Sequence, residues 1–284
     1  MDYVNPDALV STDWLAEHID APDVRVVDAT WYMAFMKRDA RAEYEACHIP
    51  GAVYFDIDDV ADSDSDLPHM LPSPEKFSSR VRKLGLGDGN RIVVYSAAGG
   101  YSAAARVWWM FRVFGHEDVA VLDGGLPKWQ AEERPVEDML PVVRERHLTA
   151  RVNHFLVRDV DHLIKNVETG KELVVDARTA GRFAGTEPEP RPCHKKGHIP
   201  GSVNLPFMDF LDKENHLTFK SADDLTSIIK AAGVDTSKTM VTSCGSGVTA
   251  AVLALGFFLL GFEDVAVYDG SWSEWGDHYD TPVA

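Results

Sequence analysis

The feature that most limits what this chain can fold into is that one domain-sized unit is written twice. VVDAT at 26–30 returns as VVDAR at 174–178, and HIPGAVYFD at 48–56 returns as HIPGSVNLPF at 198–207. FGHEDVAVLDGG at 114–125 returns as LGFEDVAVYDGS at 260–271, so the offset drifts only between 146 and 150 residues. A solenoid would repeat at a far shorter period. Each copy alternates short apolar runs with longer amphipathic ones. VRVVDA, GAVYFD, RIVVYS and DVAVLD read as strands of the first copy, and LVVDA, GSVNLP, TMVTS and DVAVYD as their partners. Between them PEKFSSRVRKLG, SAAARVWWMFRVFG, DDLTSIIKAAG and TAAVLALGFFLLG read as helices. This order predicts an α/β fold of two tandem domains, each a mainly parallel sheet flanked by helices. We expect domains at 1–138 and 156–284, joined by a polar, proline-containing linker at 139–155.

A net charge of -17 repels nucleic-acid phosphates, so no nucleic-acid partner is expected, but it does not exclude a small anion held by local arginines. The N-terminal stretch lacks the basic and apolar regions of a signal peptide, and GVTAAVLALGFFLLGF is too short to span a bilayer. The expected setting is the cytoplasm, with no membrane partner. Three cysteines, Cys47, Cys193 and Cys244, make no disulfide framework, and no CxxC pair is present.

The repeat also acts as a control. A feature present in both copies is expected to serve the fold, and a feature in one copy alone becomes a candidate for chemistry. His48 and His198, which open the two HIPG turns, and Asp123 and Asp269, which sit in the DGG and DGS turns, are therefore read as structural. Cys244 is different, because the matching loop SAAGGYSAAARVWW at 96–109 has no cysteine. It stands in CGSGVTA at what reads as a strand-to-helix junction, the carboxyl edge of a parallel sheet where such folds bind ligands. First-turn N–H groups and glycine-rich backbone there favour a thiolate, or a sulfur anion carried on it. On the loop alone a buried small residue in a tight turn remains an alternative. A cysteine phosphatase needs an arginine six positions on, where this chain has Ala250.

Two tandem copies, HIPG in each, and one loop reading CGSGVTA resemble the rhodanese-type sulfurtransferases, and GRFAGTEPEPR at 181–191 adds to the match. The resemblance runs from VVDA near the start to DGSWSEW near the end. It implies that the second copy is catalytic, with Cys244 as nucleophile carrying a persulfide, and that the first is a scaffold facing a shared cleft. Thiosulfate-specific members usually have cationic residues just after the cysteine; here Gly245 and Ser246 follow, the pattern of members that take 3-mercaptopyruvate. The family then places the donor's carboxylate on Arg182 and Arg191, whose forked guanidinium groups suit it. The alternative for these arginines is a surface ion pair with Glu187 or Glu189. The resemblance further implies that amides of Gly245, Gly247, Val248 and Thr249 stabilise the persulfide. It also implies a proton relay from Asp58 and His69 to Ser246, for the enolate that sulfur abstraction leaves behind.

No metal or organic cofactor is expected. Asp62, Asp64 and Asp66 fail as a calcium loop, since Leu67 and Ser73 stand where glycine and glutamate are needed. Cys193, His194 and His198 lack a fourth ligand for zinc, and Cys47 is expected to be a core thiol. The acceptor implied is a thiophile: thioredoxin, a small thiol or cyanide. Two other readings stand beside this one, a thiosulfate:cyanide sulfurtransferase and a non-catalytic persulfide carrier.

Overall fold

The structure, a computed structural model, describes residues 2–98 and 101–284; Gly99 and Gly100, in the first copy's counterpart of the cysteine loop, lie outside the described residues. The strands of the first domain are β1 (Leu9–Val10), β2 (Val24–Asp28), β3 (Val53–Tyr54), β4 (Arg91–Tyr95) and β5 (Val119–Leu122). Those of the second are β6 (Val157–Arg158), β7 (Glu172–Asp176), β8 (Val203–Asn204), β11 (Thr239–Ser243) and β12 (Ala266–Tyr268). The sheets are ordered β1-β5-β4-β2-β3 and β6-β12-β11-β7-β8, parallel at every pairing. Both are therefore five-stranded with the same topology, as the repeat requires. The eight apolar runs read as strands are β2 to β5, β7, β8, β11 and β12. The two-residue edge strands β1 and β6 and the antiparallel pair β9 (Leu211–Asp212) with β10 (Thr218–Phe219) went unread, because two residues carry no periodicity.

Two helices, Ser102–Val113 and Ala250–Leu259, are apolar on almost every side, and both are buried along nearly their whole length. Such helices need cover all round, and they find it by packing on each other between the sheets. One apolar cluster consequently runs from Val27, Phe55 and Val94 of the first domain through Val107 and Leu253 to Val175 and Val267 of the second. Separate clusters around Trp129 and around Trp275 fill the outer faces.

The aspartates of the two repeated turns close this interface reciprocally. Asp269 accepts the main-chain N–H of Leu71 at 2.8 Å, and Asp123 accepts that of Phe219 at 3.0 Å. The two HIPG histidines are alike as well. His48 stacks on Tyr44 and pairs its main chain with Glu137; His198 stacks on Phe183 and pairs its main chain with Ala284. Their structural reading agrees with these contacts.

The connecting segment is not a loose tether. Residues 144–153 lie along the first domain through Asp88 N–H to His147 O, Arg151 N–H to Phe114 O and Asn153 N–H to Val113 O. Gly87 has no room for a side chain against Arg146 and His147. Cys47 corrects an expectation: it is half-buried at the surface, 3.3 Å from the Gln130 amide, because the residue before the buried His48 faces outward.

Because the halves share one core, chemical denaturation is expected to give a single transition. Leu253→Ala should lower stability by about 2–5 kcal/mol, the usual cost of emptying a buried leucine site. Two separated transitions, with only one shifted by the substitution, would contradict a shared core.

Candidate active site

Cys244 follows β11, the central strand of the second sheet, and is buried. The helix behind it begins at Ala250, so the cysteine opens a six-residue loop, 244–249, and does not itself stand in a first helical turn. Its first two carbonyls are held by the helix Ser271–Trp275. Cys244 O accepts the N–H of Trp272 at 3.0 Å, and Gly245 O accepts both the N–H and the hydroxyl of Ser273, at 2.8 and 2.7 Å. Among the described residues, the N–H groups of Gly245, Ser246, Val248 and Thr249 have no hydrogen-bond partner. That of Gly247 is committed to the Ser271 hydroxyl at 3.1 Å, so it leaves the set of amides expected to meet a sulfur anion.

The loop floors a cavity of about 150 Å³ between the domains. Trp31, Met33 and Ser102 of the first domain line one side, and Arg182, Glu189, Arg191 and Cys193 of the second line the other. Thr179 caps the short helix Ala180–Phe183 that carries Arg182. The Arg182 guanidinium reaches over the loop: a β-carbon on Gly245 would stand 2.8 Å from its Nη2. It also pairs with Glu189, which Arg178 holds from the other side at 2.8 Å. The ion pair weighed as an alternative for Arg182 is thus present, inside the cavity wall and not on the surface.

Among the described residues Arg191 has no carboxylate within ion-pair distance. Its Nη1 donates to Ser246 Oγ at 3.1 Å, and its Nη2 lies 2.8 Å from His69 Nε2. His69 Nδ1 lies 2.6 Å from Asp58 Oδ1, and Asp58 Oδ2 accepts the Trp31 indole N–H at 2.8 Å. A guanidinium can only donate, so His69 Nε2 carries the lone pair and Nδ1 the proton, the neutral tautomer. Burial pushes the His69 imidazole below its ordinary value, more than Asp58 raises it, and the charges of Arg191 and Arg106 add to the lowering. Partial burial alone would raise the Asp58 carboxyl, but hydrogen bonds from His69 and Trp31 hold it lower than usual. Burial likewise lowers Arg191, opposed by Asp58 and Cys244.

Every residue expected at the site is therefore in or beside one cavity, with one difference. His69 and Ser246 do not touch; the Arg191 fork stands between them. Sequence reading missed Trp31, Arg106 and Ser271, and weighed Glu189 only as a surface ion-pair partner. The control applied to Cys244 would have flagged Trp31, which stands where the second copy has Thr179. It would also have flagged Arg106, a cation in a helix whose counterpart has none. Cys193 shares the cavity wall; burial pushes its thiol up, and its sulfur points to Lys195 O at 3.1 Å. Among the described residues no group of histidine, cysteine and carboxylate side chains is arranged to hold a metal, and no helix is long and apolar enough to cross a membrane.

A duplicated parallel-sheet unit with a single cysteine loop facing the domain cleft defines a class, and the rhodanese-like domain profile matches residues 11–132 and 159–278. The chain belongs to the rhodanese-like family. Among its relatives, 3-mercaptopyruvate sulfurtransferase of Homo sapiens is 44% identical over 273 residues, covering 94% of this chain and 91% of the relative. Thiosulfate sulfurtransferase of Mus musculus is 44% identical over 274 residues, with the same coverage. The crystal structure of SseA from Escherichia coli, described as a 3-mercaptopyruvate sulfotransferase, superposes with a TM-score of 0.85 at 39% identity. It covers 94% of this chain and 99% of that one.

The His69 ring, followed by NMR, is expected to titrate below the ~6.5 of a free imidazole. Asp58→Asn removes the one neighbour that raises it and should move the midpoint lower still. Because the folded value is depressed, the contribution of this group to stability is present above about pH 6.5 and is lost as the pH falls toward the folded midpoint. A midpoint above that of free histidine would contradict the assignment.

Proposed function

We propose that this protein is a 3-mercaptopyruvate sulfurtransferase that works through a persulfide on Cys244. The observation that carries the reading is the source of positive charge at the cavity. Gly245 and Ser246 bring none, and Arg182 occupies the space that a side chain at 245 would need. The charge thus comes from two guanidinium forks set beside the loop, which suits a planar 2-oxo carboxylate better than a compact inorganic dianion.

In the first half-reaction the donor's carboxylate docks on Arg182 and Arg191, with its sulfur over Cys244. The thiolate attacks that sulfur, an S–S bond forms, and the C–S bond breaks with its electrons passing to carbon. The leaving group is the enolate of pyruvate, which takes up one proton to become pyruvate. Ser246, two residues after the cysteine and in the same cavity, hands on that proton. Drawing Arg191 onto the carboxylate would release both Ser246 Oγ and His69 Nε2 from the contacts they now make. The donor's thiol proton can then pass through Ser246 Oγ to His69 Nε2, with Asp58 on Nδ1, and return by the same path to the enolate carbon, so that the outer sulfur is left as an anion. The unpaired N–H groups of Gly245, Ser246, Val248 and Thr249 then stabilise the terminal sulfur anion. In the second half a thiophile (thioredoxin, a small thiol or cyanide) attacks the outer sulfur and the Cys244 thiolate leaves. Residues 156–284 carry the nucleophile and 1–138 contribute His69, Asp58 and Trp31, with 139–155 as the connection.

The name of the mouse relative keeps thiosulfate in view as a donor, and one experiment separates the readings. Intact mass after brief mixing with 3-mercaptopyruvate should rise by one sulfur atom, matched by pyruvate, and Cys244→Ala should abolish both. Arg191→Lys should raise KM for this donor by about tenfold or more, since an ammonium cannot fork. A sulfur gain from thiosulfate alone would sink the proposal in favour of the thiosulfate enzyme. No gain from either donor would favour a carrier loaded by a partner.

A further inference from the structure

Ser271 has φ +49°, a left-handed backbone conformation that non-glycine residues rarely hold, and its side chain is fully buried. The matching residue of the first copy is Gly125, with φ +56°. The fold thus accepts glycine at this turn, and the copy bearing the cysteine carries a serine there against the backbone preference. Its hydroxyl is fully used. It donates to Tyr268 O at 2.8 Å and accepts the N–H groups of Cys244 and Gly247, each at 3.1 Å. A hydroxyl has one proton and two lone pairs, so no capacity is left for substrate.

The other face of the Gly247 residue is held from the first domain. Arg106 is fully buried in the interface helix Ser102–Val113. Its Nη1 lies 2.6 Å from Asp269 Oδ1 and donates to Gly247 O at 3.3 Å, and its Nη2 donates to His69 O. Gly247 itself has φ +71°, and a β-carbon there would come within 2.8 Å of Arg106 Nη1. The Gly247 N–H is therefore gripped by one domain and its carbonyl by the other. The Cys244 and Gly245 carbonyls are held by Trp272 and Ser273, and among the described residues the N–H groups of Gly245, Ser246, Val248 and Thr249 keep no hydrogen-bond partner.

We propose that Ser271 and Arg106 form a two-sided clamp on Gly247, positioning residues that keep the amides of loop 244–249 turned toward the sulfur and bind that geometry to the domain interface. Through Arg106 the same clamp also fixes the main chain of His69, itself in the left-handed region with φ +62°. The proposal deepens the reading above and rests on it only in taking Cys244 as the nucleophile.

Ser271→Gly tests it with the backbone strain removed: glycine suits this φ, which offsets part of the cost of taking the hydroxyl from three buried main-chain groups. The melting temperature should stay above that of Ser271→Ala. Alkylation of Cys244 by iodoacetamide should slow several-fold. With 3-mercaptopyruvate, kcat should fall by at least about tenfold with KM little changed. Ser271→Ala, which keeps the strained backbone but not the hydroxyl, should match Ser271→Gly in alkylation and melt lower. Arg106→Lys keeps a cation for Asp269 but cannot reach three acceptors, and should lower kcat in the same sense. An alkylation profile for Ser271→Gly identical to the wild type overturns the clamp, whichever donor the enzyme uses. A loss of donor turnover in the wild type with the alkylation difference intact would count against the donor assignment and leave the clamp standing.

Discussion

Asp269 and Asp123 close the last main strand of each sheet, and each takes a main-chain N–H from the opposite domain. An unpaired carboxylate at such a junction would be costly, so each turn needs the other half of the chain in place. On the side that bears Cys244 the requirement is stronger, because Asp269 also receives the buried Arg106 guanidinium. A carboxylate in the turn after β12 thereby fixes an arginine of the first domain, and that arginine reaches the carbonyls of Gly247 and His69. The cysteine loop and His69 are thus registered to each other through one charge pair.

The duplication made most of the fold legible. Strand runs and helix runs recur at one offset, and agreement between two copies outweighs ambiguity in either. The two-residue edge strands and the small β9–β10 pair escaped because they are defined by partners and not by pattern. The site was legible to the extent that it broke the repeat: Cys244 stands in one copy only, and so does the pair of arginines in 181–191. What sequence could not supply was the order of contacts. That Arg191 stands between His69 and Ser246, and that Glu189 holds Arg178 and Arg182 together, depends on where two loops from different parts of the chain come to rest. The commitment of two loop amides, those of Cys244 and Gly247, to Ser271 is equally invisible, since a serine in a DGS turn looks ordinary until its backbone angle is known.

In a chain of net charge -17 the cavity lining carries two arginines, Arg182 and Arg191, against one carboxylate, Glu189. Glu189 neutralises part of Arg182, while Arg191 meets only a hydroxyl and a neutral imidazole. The guanidinium left without a carboxylate is also the one buried against the Trp31 ring, at 5.7 Å. An anion arriving there displaces weak partners and not strong ones, and its attraction is screened little by solvent.

The division of the site between two sheets has a mechanical consequence. Cys244, Ser246, Arg182 and Arg191 ride on the second sheet, whereas His69, Asp58 and Trp31 ride on the first. A rocking of one rigid body against the other by about an ångström would change the reach of every cross-domain contact together. The packed helix pair and the Arg106–Asp269 ion pair therefore set those distances, so the core that holds the two halves together also sets the spacing across the cavity.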